Sequence, residues 1–193
     1  SDPGFAAVRM EPELITRQWG NASFGTISPS GELLAYTETC EDLHNGYLRP
    51  LLQKEGKTRQ FSDPLHSVSW ISFSPDGRRL AYASGRALTD RLNEIYLVDL
   101  AADGSPSPAR HLVAGMTPSW FPDGKSLVFS RYSPATGRLH LARVPVDGTS
   151  DAVLIDTDPP DDGEVAPVVS PDGSSVAFLR SIPPGGISIV PAE

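Results

Sequence analysis

Short apolar runs separated by clusters of Gly, Pro, Asp and Ser recur along the whole chain, and none of them carries helical patterning. The run from Val68 to Phe73 predicts a strand. It ends in Ser74-Pro75-Asp76-Gly77, where proline presets the first turn corner, aspartate bonds its own backbone and glycine accepts positive φ. A strand at Arg79 to Ala83 follows, then a longer loop, a strand at Glu94 to Leu100, the turn Ala102-Asp103-Gly104 and a strand at Ala109 to Val113. Four strands joined in sequence predict one antiparallel sheet.

The same plan returns three more times. Ile27-Ser28-Pro29-Ser30-Gly31, Trp120-Phe121-Pro122-Asp123-Gly124 and Val169-Ser170-Pro171-Asp172-Gly173 echo the turn above, with the four glycines 46, 47 and 49 residues apart. Self-similarity at that period, without helices, is the signature of β-propeller blades. The first repeat supplies Leu33 to Thr37, Gly46 to Leu52 and Thr58 to Phe61, with Pro50 weakening the second of these or marking a bulge. The third supplies Ser126 to Ser130, Leu139 to Val144 and Ala152 to Ile155. The fourth supplies Ser175 to Leu179 and Gly186 to Val190, with no outer strand after them.

Thr16-Arg17-Gln18-Trp19 echoes Thr58-Arg59-Gln60-Phe61, so Glu13 to Gln18 reads as the outer strand missing from the fourth repeat. The expected fold is all-β: a propeller of four four-stranded antiparallel blades, closed by this N-terminal strand so that no sheet edge is left open. The alternatives are part of a larger six- to eight-bladed propeller, or two chains sharing one ring. The expected division is an extension over 1–12 and one domain over 13–193, with blades at about 22–62, 67–113, 116–156 and 164–190 plus 13–18. Trp70 and Trp120 are expected as core wedges between blades, and Trp19 as a residue whose loss loosens closure.

Composition narrows the function. A net charge of −8 and a pI near 4.9 oppose general binding to nucleic acid, which requires clustered Lys and Arg. Cys40 is the single cysteine and cannot form an internal disulfide. No run approaches a membrane-spanning helix, and Ser1-Asp2-Pro3-Gly4 has neither the basic end nor the apolar stretch of a signal peptide. A nucleophile elbow of the Gly-x-Ser-x-Gly type is absent from the sequence, so no catalytic residue is assigned.

The repeats resemble the TolB-like (WD-like) β-propeller repeat, in which an apolar residue or tryptophan precedes Ser-Pro-Asp-Gly, a basic residue and a short apolar strand. Phe73 to Tyr82 and Trp120 to Phe129 follow that pattern, with Phe121 in place of serine. Val169 to Phe178 departs at Ser174, and Ile27 to Tyr36 at Ser30 and Glu32. The resemblance implies a rigid binding or scaffold module for a protein or peptide, in a bacterial periplasmic or extracytoplasmic setting. Relatives of this kind include the periplasmic TolB component of the Tol-Pal system, propeller domains of prolyl-oligopeptidase-like peptidases, some pectate-degrading lyases and bacterial sensor domains.

Function is expected on the face that carries the loops between second and third strands and between blades, away from the tight Pro-Asp-Gly turns. Three elements there are candidate partner-binding sites. His66 belongs to an interval, Thr58 to Gly77, that is four residues longer than its counterpart from Thr16 to Gly31. Arg86, Asp90 and Arg91 join Arg131 and Tyr132 of the next blade in a surface of arginine and tyrosine, which cover much area per rotamer lost. Asp161, Asp162 and Glu164 lie in an acidic loop whose two prolines interrupt calcium-ligand spacing. No cofactor or metal is assigned, since His44, His66, His111 and His140 lack ligand spacing. His111 and His140 read as packing or edge residues. A metal-dependent carbohydrate-processing enzyme would need His44, His66 and the acidic loop to converge. A sensor propeller cut from a larger protein is the remaining alternative. A monomer is expected, or a dimer if the ring is shared, with no membrane insertion.

Overall fold

The computed structural model describes residues 22–40, 43–52, 56–85, 93–155, 157, 163–180 and 185–192. Each repeat forms its own antiparallel sheet. The first contains β1 (Ala22–Ile27), β2 (Leu33–Cys40), β3 (Leu43–Pro50) and β4 (Arg59–Gln60). The second contains β5 (Ser67–Phe73), β6 (Arg79–Gly85), β7 (Glu94–Asp99) and β8 (Arg110–Ala114). The third contains β9 (Met116–Trp120), β10 (Ser126–Ser133), β11 (Arg138–Pro145) and β12 (Val153–Leu154). The fourth has three strands among the described residues, β13 (Glu164–Val169), β14 (Ser175–Arg180) and β15 (Gly186–Pro191). Pro50 ends β3, so the missing donor breaks no ladder.

The repeated turns are built as their residues dictate. In the second sheet Ser74 Oγ donates to Asp76 Oδ1 (2.5 Å), while the Arg78 and Arg79 N–H groups donate to Asp76 Oδ1 (3.0 Å) and Ser74 Oγ (2.9 Å). The fourth sheet repeats this arrangement with Ser170, Asp172, Ser174 and Ser175. Gly31, Gly77, Gly124 and Gly173 all take positive φ, between 67° and 76°, which spares them a Cβ clash.

These bonds stabilise the ionised aspartate. The Ser170 hydroxyl, then the Ser174 N–H and hydroxyl, lower the Asp172 carboxyl from 3.8 to about 2, and Ser74 and the Arg78 N–H lower Asp76 in the same direction. A folded-state value below the unfolded one gives stability that is complete above the ordinary carboxylate range and lost as pH falls toward the folded value. The melting temperature should therefore drop between roughly pH 4 and pH 2, and Asp172→Asn should flatten part of that drop. Parallel pH profiles for parent and variant would contradict the turn's role.

Alternate residues of each middle strand pack on opposite neighbours. Leu80, Tyr82 and Val98 join Ala35, Leu48, Phe61 and Phe73 between the first and second sheets. Ala81, Ile95 and Leu97 face the other way and meet Trp120, Leu127, Phe129 and Val144 of the third sheet. Phe121, Val128 and Leu141 then meet Val176 and Phe178 of the fourth. Packing thus runs from sheet one to two, two to three and three to four, and among the described residues no strand of the fourth sheet packs extensively against the first. The strand expected over 13–18 and Trp19 lie outside the described residues.

Every innermost strand carries the same irregularity. Among the described residues Phe24, Trp70, Thr117 and Ala166 are the non-glycine residues with positive φ (50°, 52°, 55° and 52°), and each stands three positions before the residue that precedes the turn motif. The ladder register shifts at all four places, so each strand is bulged there. This corrects the expectation for Trp70. The left-handed backbone turns its side chain out of the core, leaving it 41% exposed against Phe24 (ring centroids 5.4 Å). Trp120, beyond the bulge of β9, is a core wedge as expected: it is buried, its Nε1–H donates to Ser72 O (3.2 Å) and the Arg79 guanidinium lies over its ring.

Candidate functional site

Between the first and second sheets lies a cleft of about 610 Å³. The loop joining β4 to β5 forms one rim. Asp63 Oδ1 accepts the Leu65 N–H (2.8 Å), an Asx turn that follows from placing aspartate before proline, and Leu65 and His66 are left exposed. Residues 106–109, which lead into β8, form the opposite rim, and two prolines there and Pro64 across from them stiffen both.

The floor comes from the sheet faces. Phe61 packs its edge on Tyr82 (5.3 Å), and Tyr82 stacks on Tyr96 (5.7 Å, 18° between planes). Gly46 permits this, since a Cβ there would lie 2.4 Å from the Phe61 ring. Tyr82 and Ser84 line the cleft at 2% and 8% exposure, and neither hydroxyl has a hydrogen-bond partner among the described residues. Burial pushes the Tyr82 hydroxyl well above the usual tyrosine range, with Tyr96 and the Asp63 charge adding to the shift. It therefore remains protonated and able to donate at any physiological pH. Among the described residues no lysine or arginine lines the cleft.

Of the residues expected from the sequence, His66 stands at this rim. Arg131 and Tyr132 lie in β10 of the third sheet, exposed and half-buried, opposite His140 and Leu139. Arg86, Asp90, Arg91, Asp161 and Asp162 lie outside the described residues. Glu164 opens β13, with its side chain outside the description. His111 is an outer-strand residue 2.7 Å from Glu94, and His140 bonds Thr136, as expected of edge positions. His44 shares its Nδ1 with Thr39 Oγ1 (3.3 Å), and no group of three His, Cys, Asp or Glu that could hold a metal ion occurs among the described residues. Sequence reasoning missed Tyr82, Tyr96 and Ser84. The available signal was a hydroxyl at a core position: the third and fourth repeats place Phe129 and Phe178 where the second has Tyr82.

No protein-family model matches the chain, and no curated protein matches it. Solved structures do. A "putative TolB" from Agrobacterium tumefaciens superposes with a TM-score of 0.69 at 25% identity, over 89% of this chain and 61% of that one. TolB from Acinetobacter baumannii superposes equally well (0.69, 18% identity), over 90% of this chain and 41% of its own. A prolyl endopeptidase matches at 0.65 and 20% identity over 90% of this chain and 27% of that one. The chain thus spans less than two thirds of these proteins. Its repeats are of the TolB-like β-propeller kind, as the turn motif implied.

Proposed function

We propose that this chain is a non-enzymatic propeller module that binds a protein or peptide, with the loop 63–66 and the cleft beneath it as the contact element. The observation that carries this reading is the combination of an exposed Leu65 and His66 on a rigid Asx turn with an open cleft lined by the hydroxyls of Tyr82 and Ser84, which have no hydrogen-bond partner among the described residues. An apolar anchor beside convergent polar groups is what a peptide contact uses. Arg131 and Tyr132, together with Arg86, Asp90 and Arg91, are a second proposed contact region, and Asp161, Asp162 and Glu164 a third. The unit is taken as one propeller domain over 13–193.

The four sheets are read as an arc of a ring rather than a closed one. The face of the fourth sheet that points away from the third exposes Ile187, Ile189 and Leu179 (75%, 70% and 45%), a strip suited to a further blade.

Selection of peptides from a random display library tests the binding reading. Peptides recovered by the parent should bind the double variant Leu65→Ser, His66→Ala at least roughly tenfold more weakly, with the melting temperature unchanged because both side chains are exposed. Equal binding by the variant, or failure to recover any peptide, would overturn it.

A further inference from the structure

The cleft between the first two sheets has a chemistry that selects its occupant, and the inference rests on the binding role proposed above. Its walls offer flat, stiff apolar surface from Phe61, Tyr96, Pro64 and Pro108. Its interior holds hydroxyl donors from Tyr82 and Ser84 that the protein leaves unpartnered, although both residues are more than nine-tenths buried. Each hydroxyl still meets the opening, so an occupant that covers it must bring an acceptor in place of water. Among the described residues the one carboxylate on the lining is Asp63, close enough to Tyr82 for its charge to be felt there, and no lysine or arginine of that lining balances it. A phosphate or carboxylate ligand is disfavoured by this lining, and a neutral or cationic one is favoured.

We infer that the cleft takes a proline-rich peptide segment in the polyproline II conformation, with a basic residue beside Asp63. Such a segment has no internal hydrogen bonds, so its carbonyls remain acceptors for hydroxyl donors, and its proline rings pack on aromatic walls at little entropic cost. The Tyr82 and Ser84 hydroxyls donate to peptide carbonyls, the rings lie along Phe61 and Tyr96, and the Asp63 carboxylate oxygen not committed to the Leu65 N–H pairs with the cation.

Fluorescence polarisation with labelled peptides tests this. The probes are an arginine-flanked polyproline decapeptide, its glutamate-flanked counterpart and a proline-free peptide of the same charge as the first. The arginine-flanked probe should bind and the glutamate-flanked one bind roughly fivefold or more weakly. Tyr82→Phe should weaken the first roughly fivefold to tenfold, the worth of one hydrogen bond, without lowering the melting temperature, because the lost hydroxyl had no partner in the fold. Asp63→Asn should erase the preference between the two flanks, and Lys125→Ala, at an exposed turn of the third sheet, should change nothing. Absence of polyproline binding, or binding equal in Tyr82→Phe, overturns the inference. If library peptides without proline still bind in a Leu65- and His66-dependent way, the inference fails and the broader binding role survives. If soluble cellotriose competes in the cleft and no peptide binds, both fail.

Discussion

Replacing Ile95 and Leu97 together with serine is expected to unfold the 193-residue chain, whereas the same double change at Ile187 and Ile189 leaves its melting temperature within about 2 °C of the parent. The two pairs are equivalent in the repeat. Ile95 and Leu97 stand opposite Ala83 and Ala81 in the second sheet, and Ile187 and Ile189 stand opposite Leu179 and Ala177 in the fourth. The first pair is 0% and 1% exposed under the third sheet, and the second pair is 75% and 70% exposed. Each large-to-small change in a filled core costs about 2–5 kcal/mol, and two of them with hydroxyls added consume most of the roughly 5–15 kcal/mol that holds a domain together. Exposed positions make no such contribution. Thermal melts followed by circular dichroism of both variants settle the matter. An equally large loss at Ile187 and Ile189 would mean that the fourth sheet's outer face is covered and that the arc reading is wrong.

The second large effect is expected where the chain passes from β8 to β9. A Cβ on Gly115 would sit 2.4 and 2.7 Å from Phe129 ring atoms and 3.1 Å from the Ser130 carbonyl oxygen. Phe129 is fully buried within the core shared by the second and third sheets, so its ring has nowhere to swing. The backbone cannot retreat freely either, because the Gly115 N–H donates to Asn93 O (2.8 Å). Gly115→Ala should cost about 1–3 kcal/mol by overpacking, and Phe129→Ala about 3–5 kcal/mol by cavity formation. The two are coupled: in the Phe129→Ala background the Gly115 substitution should cost much less, since the ring it strikes is gone. Urea unfolding of the four proteins in that cycle measures the coupling. An equal cost of Gly115→Ala in both backgrounds would place the strain elsewhere.

The same contrast shows what was legible beforehand. Strand pairs and turns were readable because their chemistry is local: Ser74, Pro75, Asp76 and Gly77 form a turn from their own hydrogen bonds and φ preferences, and Ser170 to Gly173 repeat it. His66 was readable as a candidate contact residue, the role proposed for it, because the inserted residues around it break the repeat length. The cleft floor was not. Tyr82 looks like an ordinary strand residue in its motif, and only the approach of Phe61 from another sheet and Tyr96 from the adjacent strand makes it a buried ring on the lining of an opening. Trp70 misled for a related reason: its type argues for burial, yet the bulge at φ 52° rotates it outward.

The sequence by itself determined an all-β chain of four repeats, the place of each tight turn and the hairpin order within each sheet, since these rest on contacts between residues close along the chain. Only the tertiary structure decided which face of a strand is core. Ile95 and Ile187 occupy the same repeat position with the same side chain, and one is buried while the other is open. Burial is a property of the sheet that packs alongside, and no local pattern of apolar residues encodes whether that sheet is there.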